Sequence, residues 1–585
     1  MSRLRLGAGL LAGVLASLSV RAQPIPVPTD FLNELWYKNS LVYNLDVDVF
    51  KDSDNDGIGD FNGLTQQLDY LKNLGVDVIW LSPFQPTPNK DDGYDVADFY
   101  RIDKRLGTER DFQSFMQQAS RRNIRVMMDL VINHTSNEHP WFEEARRRKD
   151  SPYRSWYVWS KERPKDWNKG MVFPGVQTET WSYDSLAGEY FHHRFYRFQP
   201  DLNAQNPAVQ TELRNVIRHW LKQGIAGFRL DAVPFFIEIP ETGMTNPKHQ
   251  YEMIPQLRQF VQWHKADAVL LGEINVEPKE NKQYFGAEGG GLQMMFNFFA
   301  NQHLFYAMAT GDARPLVKAL EATQGIPVTA QWANFLRNHD EIDLGRLSSR
   351  DRAEVYKKFG PDTSMQLYDR GIRRRLAPML QDPKLISLAY SLLFSLPGTP
   401  VLRYGEEIGM GDDLTLKERN SVRTPMQWSG ARQGGFSGAA KTVRPVISKG
   451  AYAYSQVNVA RQLQEPNSLL NQIRRFRELR KKYPGIGLGN WSLVDLNSSG
   501  LLAIRYEWEG RSLLMVHNLS TNPQEAQLPA ELTGRTLTSL LKTTADPVVE
   551  VTPYSVRLDG YGYGWFLLSK EKKDTKGEPG SRANK

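Results

Sequence analysis

At 585 residues the chain is too long for one compact core, and three or so domains are the natural expectation. A hydrophobic content of 40% and a charged content of 24% are those of a soluble globular protein, and the net charge of +7 is dispersed without a long basic run, which argues against a nucleic-acid partner. The absence of cysteine excludes disulfides, thiolate metal sites and a lipid-bearing cysteine.

Arg3 and Arg5 precede an apolar run over residues 6–20 and then Val20-Arg-Ala22, the pattern of a signal peptide spanning residues 1–22 and cut after Ala22. That run is shorter than the roughly 20 residues of a spanning helix. Export to the periplasm or beyond is therefore expected, with no membrane association of the mature protein.

Residues 41–50 alternate as a strand does. Behind them, Asp52-Ser-Asp-Asn-Asp-Gly-Ile-Gly-Asp60 sets oxygen donors at alternate positions with glycines for a tight wrap, a calcium-loop pattern that lacks the distal glutamate of an EF-hand. A helix over 64–74 and a second strand over 76–83 lead to Asp91-Asp-Gly-Tyr94, and a third strand over 125–132 ends at Asn133-His134. The stretch 133–205 is too long and irregular for a connecting loop and predicts an inserted subdomain.

The run Gly224-Ile-Ala-Gly-Phe-Arg-Leu-Asp-Ala-Val-Pro234 reads as a buried strand. Residues two apart share a strand face, so Arg229 projects beside Asp231 and favours its ionised form, as a nucleophile requires. The runs ending at Glu273 and at Asp340 have the same shape, an apolar stretch that stops at a carboxylic acid. In a parallel β/α barrel the carboxyl ends of the strands converge on one face, where three such acids meet. Strands over 292–298, 332–336 and 399–405 complete the set. The fold class expected is α/β, a (β/α)8 TIM barrel built from 23–132 and 206–484, with the subdomain 133–205 inserted after strand 3, an antiparallel β domain over 485–569 and a disordered charged tail over 570–585.

Asp129-Leu-Val-Ile-Asn-His134, Gly227-Phe-Arg-Leu-Asp231, Glu273 and Asn338-His-Asp340, in this order, resemble the motifs of the α-amylase superfamily, glycoside hydrolase family 13. The resemblance runs from about Trp36 through the C-terminal domain. It implies Asp231 as nucleophile, Glu273 as acid/base with a raised pKa and Asp340 as the group gripping ring hydroxyls in the transition state. It further implies that Asp91, Tyr94, His134, Phe173, Phe195, Gln199, Arg229, His339 and Arg423 serve the substrate. Structural Ca2+ would be held by Asp52, Asp54, Asp56, the Ile58 carbonyl and Asp60, and a second cation by Asn133, Asp201 and Glu238. No organic cofactor is implied.

Within the superfamily, His193-Arg-Phe-Tyr196, Gly371-Ile-Arg-Arg-Arg-Leu-Ala-Pro378 and Val422-Arg-Thr-Pro-Met-Gln-Trp428 are similar to the trehalose synthase branch. That likeness implies a disaccharide substrate, interconversion of maltose and trehalose through a covalent glucosyl-enzyme, and a closing contact between Arg194 and Glu341. The chain departs from the branch at Gly345, where a glutamate is usual, and at Ile274-Asn-Val276, where Ala-Asn-Gln is usual. Hydrolysis by an exo-acting α-glucosidase is the alternative. A non-catalytic amylase-like binding subunit is the remote one, since all three acids are present.

Overall fold

The computed structural model describes residues 34–240, 243, 247–541, 546–547 and 549–570. The expected signal peptide and the tail beyond 570 lie outside the described residues. Among these residues no helix is long and apolar enough to cross a membrane.

Eight parallel strands close into a barrel: β1 Val42–Leu45, β2 Val78–Leu81, β3 Arg125–Leu130, β4 Gly227–Leu230, β5 Val269–Gly272, β6 Met294–Phe296, β7 Gln331–Phe335 and β8 Thr399–Arg403, each beside its neighbours in sequence, with β8 returning to β1. Covered on both faces, the strands read as continuous apolar runs rather than alternating ones. Leu81, Met128, Phe228, Leu270 and Leu402 are all buried. The barrel therefore arises as expected, with shorter strands.

Two local differences have clear causes. The first strand stops at Leu45 rather than Phe50, because the chain turns at Asp46 into a 3-10 turn, Val47–Val49. There Asp46 and Asn44 receive the fully buried guanidinium of Arg403 from the end of β8. The helix expected over 64–74 is two helices, Phe61–Gln66 and Leu68–Leu74, with the first begun early because the Asp60 side chain accepts from the Gly63 amide at 2.8 Å.

Three excursions surround the carboxyl end of the barrel. The stretch after β3 carries a small antiparallel sheet of Trp159–Ser160, Trp181–Asp184 and Glu189–His192. After β7 comes a second small sheet, Ile342–Asp343, Gln366–Leu367 and Gly371–Ile372, which the sequence did not announce because its strands are only two residues long. A long loop follows β8. The C-terminal part forms a five-stranded antiparallel sheet facing a three-stranded one, with Leu514, Val516, Val556 and Phe566 packed in the shared core. The other face of the larger sheet meets the helix Pro383–Ser395, where Trp565 Nε1 donates to Ser391 Oγ at 2.9 Å.

Candidate active site

Register builds the floor of the site. β3 and β4 pair so that Asp129 stands beside Arg229, and the alternation of β4 then carries Asp231 to the same side. Arg229 Nη1 lies 2.6 Å from Asp129 Oδ1 and 2.7 Å from Asp231 Oδ1, while Nη2 lies 2.9 Å from Glu273 Oε2 at the end of β5. One fully buried guanidinium thus serves three carboxyls. Asp129 is held on its other oxygen by Trp80 Nε1 at 2.9 Å and the Tyr94 hydroxyl at 3.0 Å. Directly after Asp231 the backbone takes a left-handed turn at Ala232 (φ 52°), whose amide donates to Glu273 Oε2 at 3.2 Å.

One positive charge cannot hold three buried carboxylates ionised together. Burial raises Asp231 to about 6, with Arg229 pulling down and Asp129 and Asp340 pushing up. Burial raises Glu273 further, to about 7, again opposed by Arg229 and reinforced by Asp231 and Asp340. The expectation that Arg229 favours the Asp231 carboxylate holds for its sign, yet desolvation outweighs it. The two acids consequently separate in the order that catalysis by one base and one acid needs.

Asp340 is in the opposite condition. Burial works to raise it, but Arg419, His339 and Arg423 together hold it well below the usual carboxylate range. Its Oδ1 lies 3.1 Å from Arg419 Nη1 and 3.0 Å from Arg423 Nη2, and its Oδ2 lies 3.2 Å from His339 Nε2. The Tyr94 hydroxyl donates to Asp129, so toward His339, 2.7 Å away, it accepts, which assigns the imidazole proton to Nε2.

These groups floor a cavity of about 640 Å³. Asp91, Tyr94, His134, Phe173, Phe195 and Gln199 line it beside Asp231, Glu273 and Asp340, and with Glu238 and Glu341 eleven of the residues singled out from the sequence meet in one place. Gln199 Nε2 donates to Asp91 Oδ2 at 2.9 Å, and burial raises Asp91 to about 7. Arg229, His339 and Arg423 are buried a layer behind the lining, where they hold acids instead of facing the cavity. Arg423 links Asp340 to Asp92 (2.8 Å) and to the His339 carbonyl (2.9 Å). Glu341 lines the cavity, and Gly371 makes room for it: a Cβ there would lie 2.4 Å from Glu341 Cγ.

Residues 47–489 match the family described as alpha amylase, catalytic domain, and residues 510–567 match the sucrose hydrolase-like C-terminal domain. The chain belongs to the alpha-amylase family. It is an enzyme of the glycoside hydrolase family 13 type. Trehalose synthase from Thermus thermophilus is 41% identical over 92% of this chain and 56% of that protein, and trehalose synthase from Pimelobacter sp. is 40% identical over 93% of this chain and 97% of that one. Among solved structures, the trehalulose synthase MutB from Pseudomonas mesoacidophila superposes with a TM-score of 0.74 at 25% identity, covering 91% of this chain and 99% of that one.

Within this alpha-amylase frame, several placements differ from expectation. Arg194 does not meet Glu341: it pairs with Glu238 and donates to the Gly170 carbonyl at 2.9 Å. Glu341 is taken instead by Arg419 at 2.9 Å and Arg370 at 3.2 Å, two arginines that sequence reasoning passed over because neither sits in a motif ending a strand. Glu238 is thereby committed to Arg194, while Asn133 Nδ2 donates to Asp201 Oδ1 at 3.1 Å and His192 Nδ1 lies 3.1 Å from Asp201 Oδ2. Asn133 and Asp201, two of the residues expected to hold a second cation, are thus in direct contact, and burial, with Asp201 near enough to add to it, pushes the Glu238 carboxyl up. In the loop after β1, carboxylate oxygens of Asp52, Asp54 and Asp60 lie within 4.8 Å of one another, without Asp56, whose Oδ1 accepts from the Ile58 amide.

The separated acids fix the pH dependence. With Asp231 as the expected nucleophile and Glu273 as the expected acid, kcat/KM should rise as pH increases through about 6 and fall as pH passes about 7, the two limbs belonging to the coupled pair. A profile still flat at about pH 9 would contradict this assignment.

Proposed function

We propose that the enzyme interconverts maltose and trehalose by retaining α-glucosyl transfer. The observation that carries the reading is the single guanidinium of Arg229 touching both Asp231 and Glu273, which keeps the two carboxyls close neighbours, in keeping with retaining enzymes, whose pair stands about 5 Å apart. The similarity to trehalose synthases and the sucrose and isomaltulose bound in MutB structures support a disaccharide as substrate.

Asp231 attacks the anomeric carbon, the glycosidic bond breaks, and Glu273 gives its proton to the departing oxygen. Asp340, held anionic, grips the ring hydroxyls more strongly as positive charge develops at the ring. The freed glucose then reorients, and its anomeric hydroxyl attacks the glucosyl-enzyme while Glu273 takes the proton back and Asp231 leaves. A sugar held in attacking geometry has an effective molarity of roughly 10⁵ M or more, so enclosure outweighs competing water.

One observation favours the hydrolytic alternative. Gly345 lines the cavity without a side chain, and a Cβ there would meet Asp343 Oδ1 at 2.9 Å, so Asp343 and Arg370 fill the space where the branch carries a glutamate. Asp343 is itself tied to Asn275 Nδ2 at 3.1 Å, the residue between the departures at Ile274 and Val276. Incubation with maltose distinguishes the readings: trehalose should be the main early product with minor glucose, whereas glucose without trehalose at any time would establish the exo-acting α-glucosidase.

The convergence of Asp52, Asp54 and Asp60 supports a structural Ca2+ there, a hard cation suited to an all-oxygen set. Ser437 Oγ donates to Asp52 and the Gly438 amide donates to Asn55 at 2.8 Å, so the loop also anchors the segment after β8. The sequence of residues 1–22 supports export, with a mature N-terminus at Gln23. Chelation should lower the melting temperature, and calcium alone among added cations should restore it; an unchanged temperature would remove the metal from the account.

A further inference from the structure

Above the cavity, three excursions of the chain meet at one carboxylate oxygen. The Tyr196 hydroxyl, from the subdomain inserted after β3, donates to Glu418 Oε2 at 2.5 Å. The Tyr368 hydroxyl, from the small sheet after β7, donates to the same oxygen at 2.7 Å, and the two phenols lie 3.1 Å apart. Glu418 itself belongs to the loop after β8 and opens the 3-10 turn Glu418–Val422. Hydroxyl donors to a carboxylate at such distances are charge-assisted and strong.

The knot is joined to the cavity through its neighbours. Phe173 stacks on Tyr196 with centroids 4.8 Å apart and lies 4.7 Å from the Tyr368 ring. Arg419, next after Glu418, reaches Asp340 and Glu341 and sets its guanidinium 4.7 Å from the Phe173 ring. Phe173, Tyr368 and Arg419 line the cavity, whereas Tyr196 and Glu418 stand outside the lining. Both Glu418 (φ 45°) and Tyr368 (φ 55°) hold the left-handed backbone that side-chain-bearing residues seldom adopt, a conformation kept only where surrounding contacts impose it.

We propose that Glu418, with Tyr196 and Tyr368, is a latch that keeps the acceptor side of the cavity closed and so sets the partition of the glucosyl-enzyme between sugar and water. Glu418 touches no reacting atom in this arrangement; it is a positioning residue that fixes Arg419 and Tyr368 against the leaving glucose. The inference rests on the transfer reading above and deepens it. It replaces the contact expected between Arg194 and Glu341 by one among three excursions, two of which carry strained backbone.

The test compares Glu418→Ala, Glu418→Gln and the isosteric Tyr196→Phe with the wild type in three measurements: the trehalose-to-glucose ratio from maltose, the inhibition constant for glucose, and the initial release of nitrophenol from p-nitrophenyl α-glucoside. In Glu418→Ala the ratio should fall at least fivefold and the glucose inhibition constant rise at least fivefold, with nitrophenol release within threefold of wild type. Tyr196→Phe should move the first two in the same direction by less, and Glu418→Gln, which keeps an acceptor oxygen, should return most of both. An unchanged glucose inhibition constant in Glu418→Ala and Tyr196→Phe would overturn the latch. A wild type that makes no trehalose would instead sink the transfer reading, and the latch would then stand or fall on the inhibition constant alone.

Discussion

Arg229 carries one positive charge into the dry centre of the barrel and meets three carboxyls there. Everything chemical about the site follows from that mismatch. A guanidinium presents a rigid fork of donors, so it can serve several acids at once without losing its proton. It cannot neutralise all of them, and the surplus negative charge, left in a low-dielectric setting, drives Glu273 toward protonation while leaving Asp231 the easier to ionise. Asp129, which faces no substrate, completes the set: its carboxyl ties Arg229 to Trp80 and Tyr94 and so fixes the guanidinium in place.

Asp340 shows the complementary design. Two arginines and a histidine surround it, so it stays anionic where its neighbours do not. The barrel supplies both environments from one face, because consecutive strand ends deliver side chains to a common floor while the loops beyond them deliver the counter-charges. Arg419 and Arg423 come from the excursion after β8, the first within the turn that Glu418 opens and the second directly after it. Charge placement and enclosure are thus entrusted to the same short segment.

The floor was largely legible in the sequence. Alternation along a strand placed Arg229 beside Asp231, and apolar runs ending in acids marked Glu273 and Asp340 without any structure in hand. Asp129 was visible in its motif but had no role until the pairing of β3 with β4 set it against Arg229. The roof was not legible. Arg194 and Glu341 were matched by resemblance, yet contacts among long irregular excursions depend on how the excursions fold over one another, and no periodicity reports that. Arg419, Tyr368 and Glu418 sit in turns whose local sequence resembles any polar loop. The pairing of Glu238 with Arg194 is of the same kind, one that only the folded chain reveals.

The central claim is that Asp231 becomes covalently glucosylated while Glu273 manages the proton. A fluorinated α-glucosyl fluoride that forms the glucosyl-enzyme quickly and releases it slowly would trap that state, and peptide mass spectrometry would locate the added sugar. The account predicts the label on Asp231, with its formation strongly slowed in Asp231→Asn and retained in Glu273→Gln, since fluoride departs without a donated proton. A label on Glu273, or turnover of the reagent with no covalent adduct at any time, would contradict it.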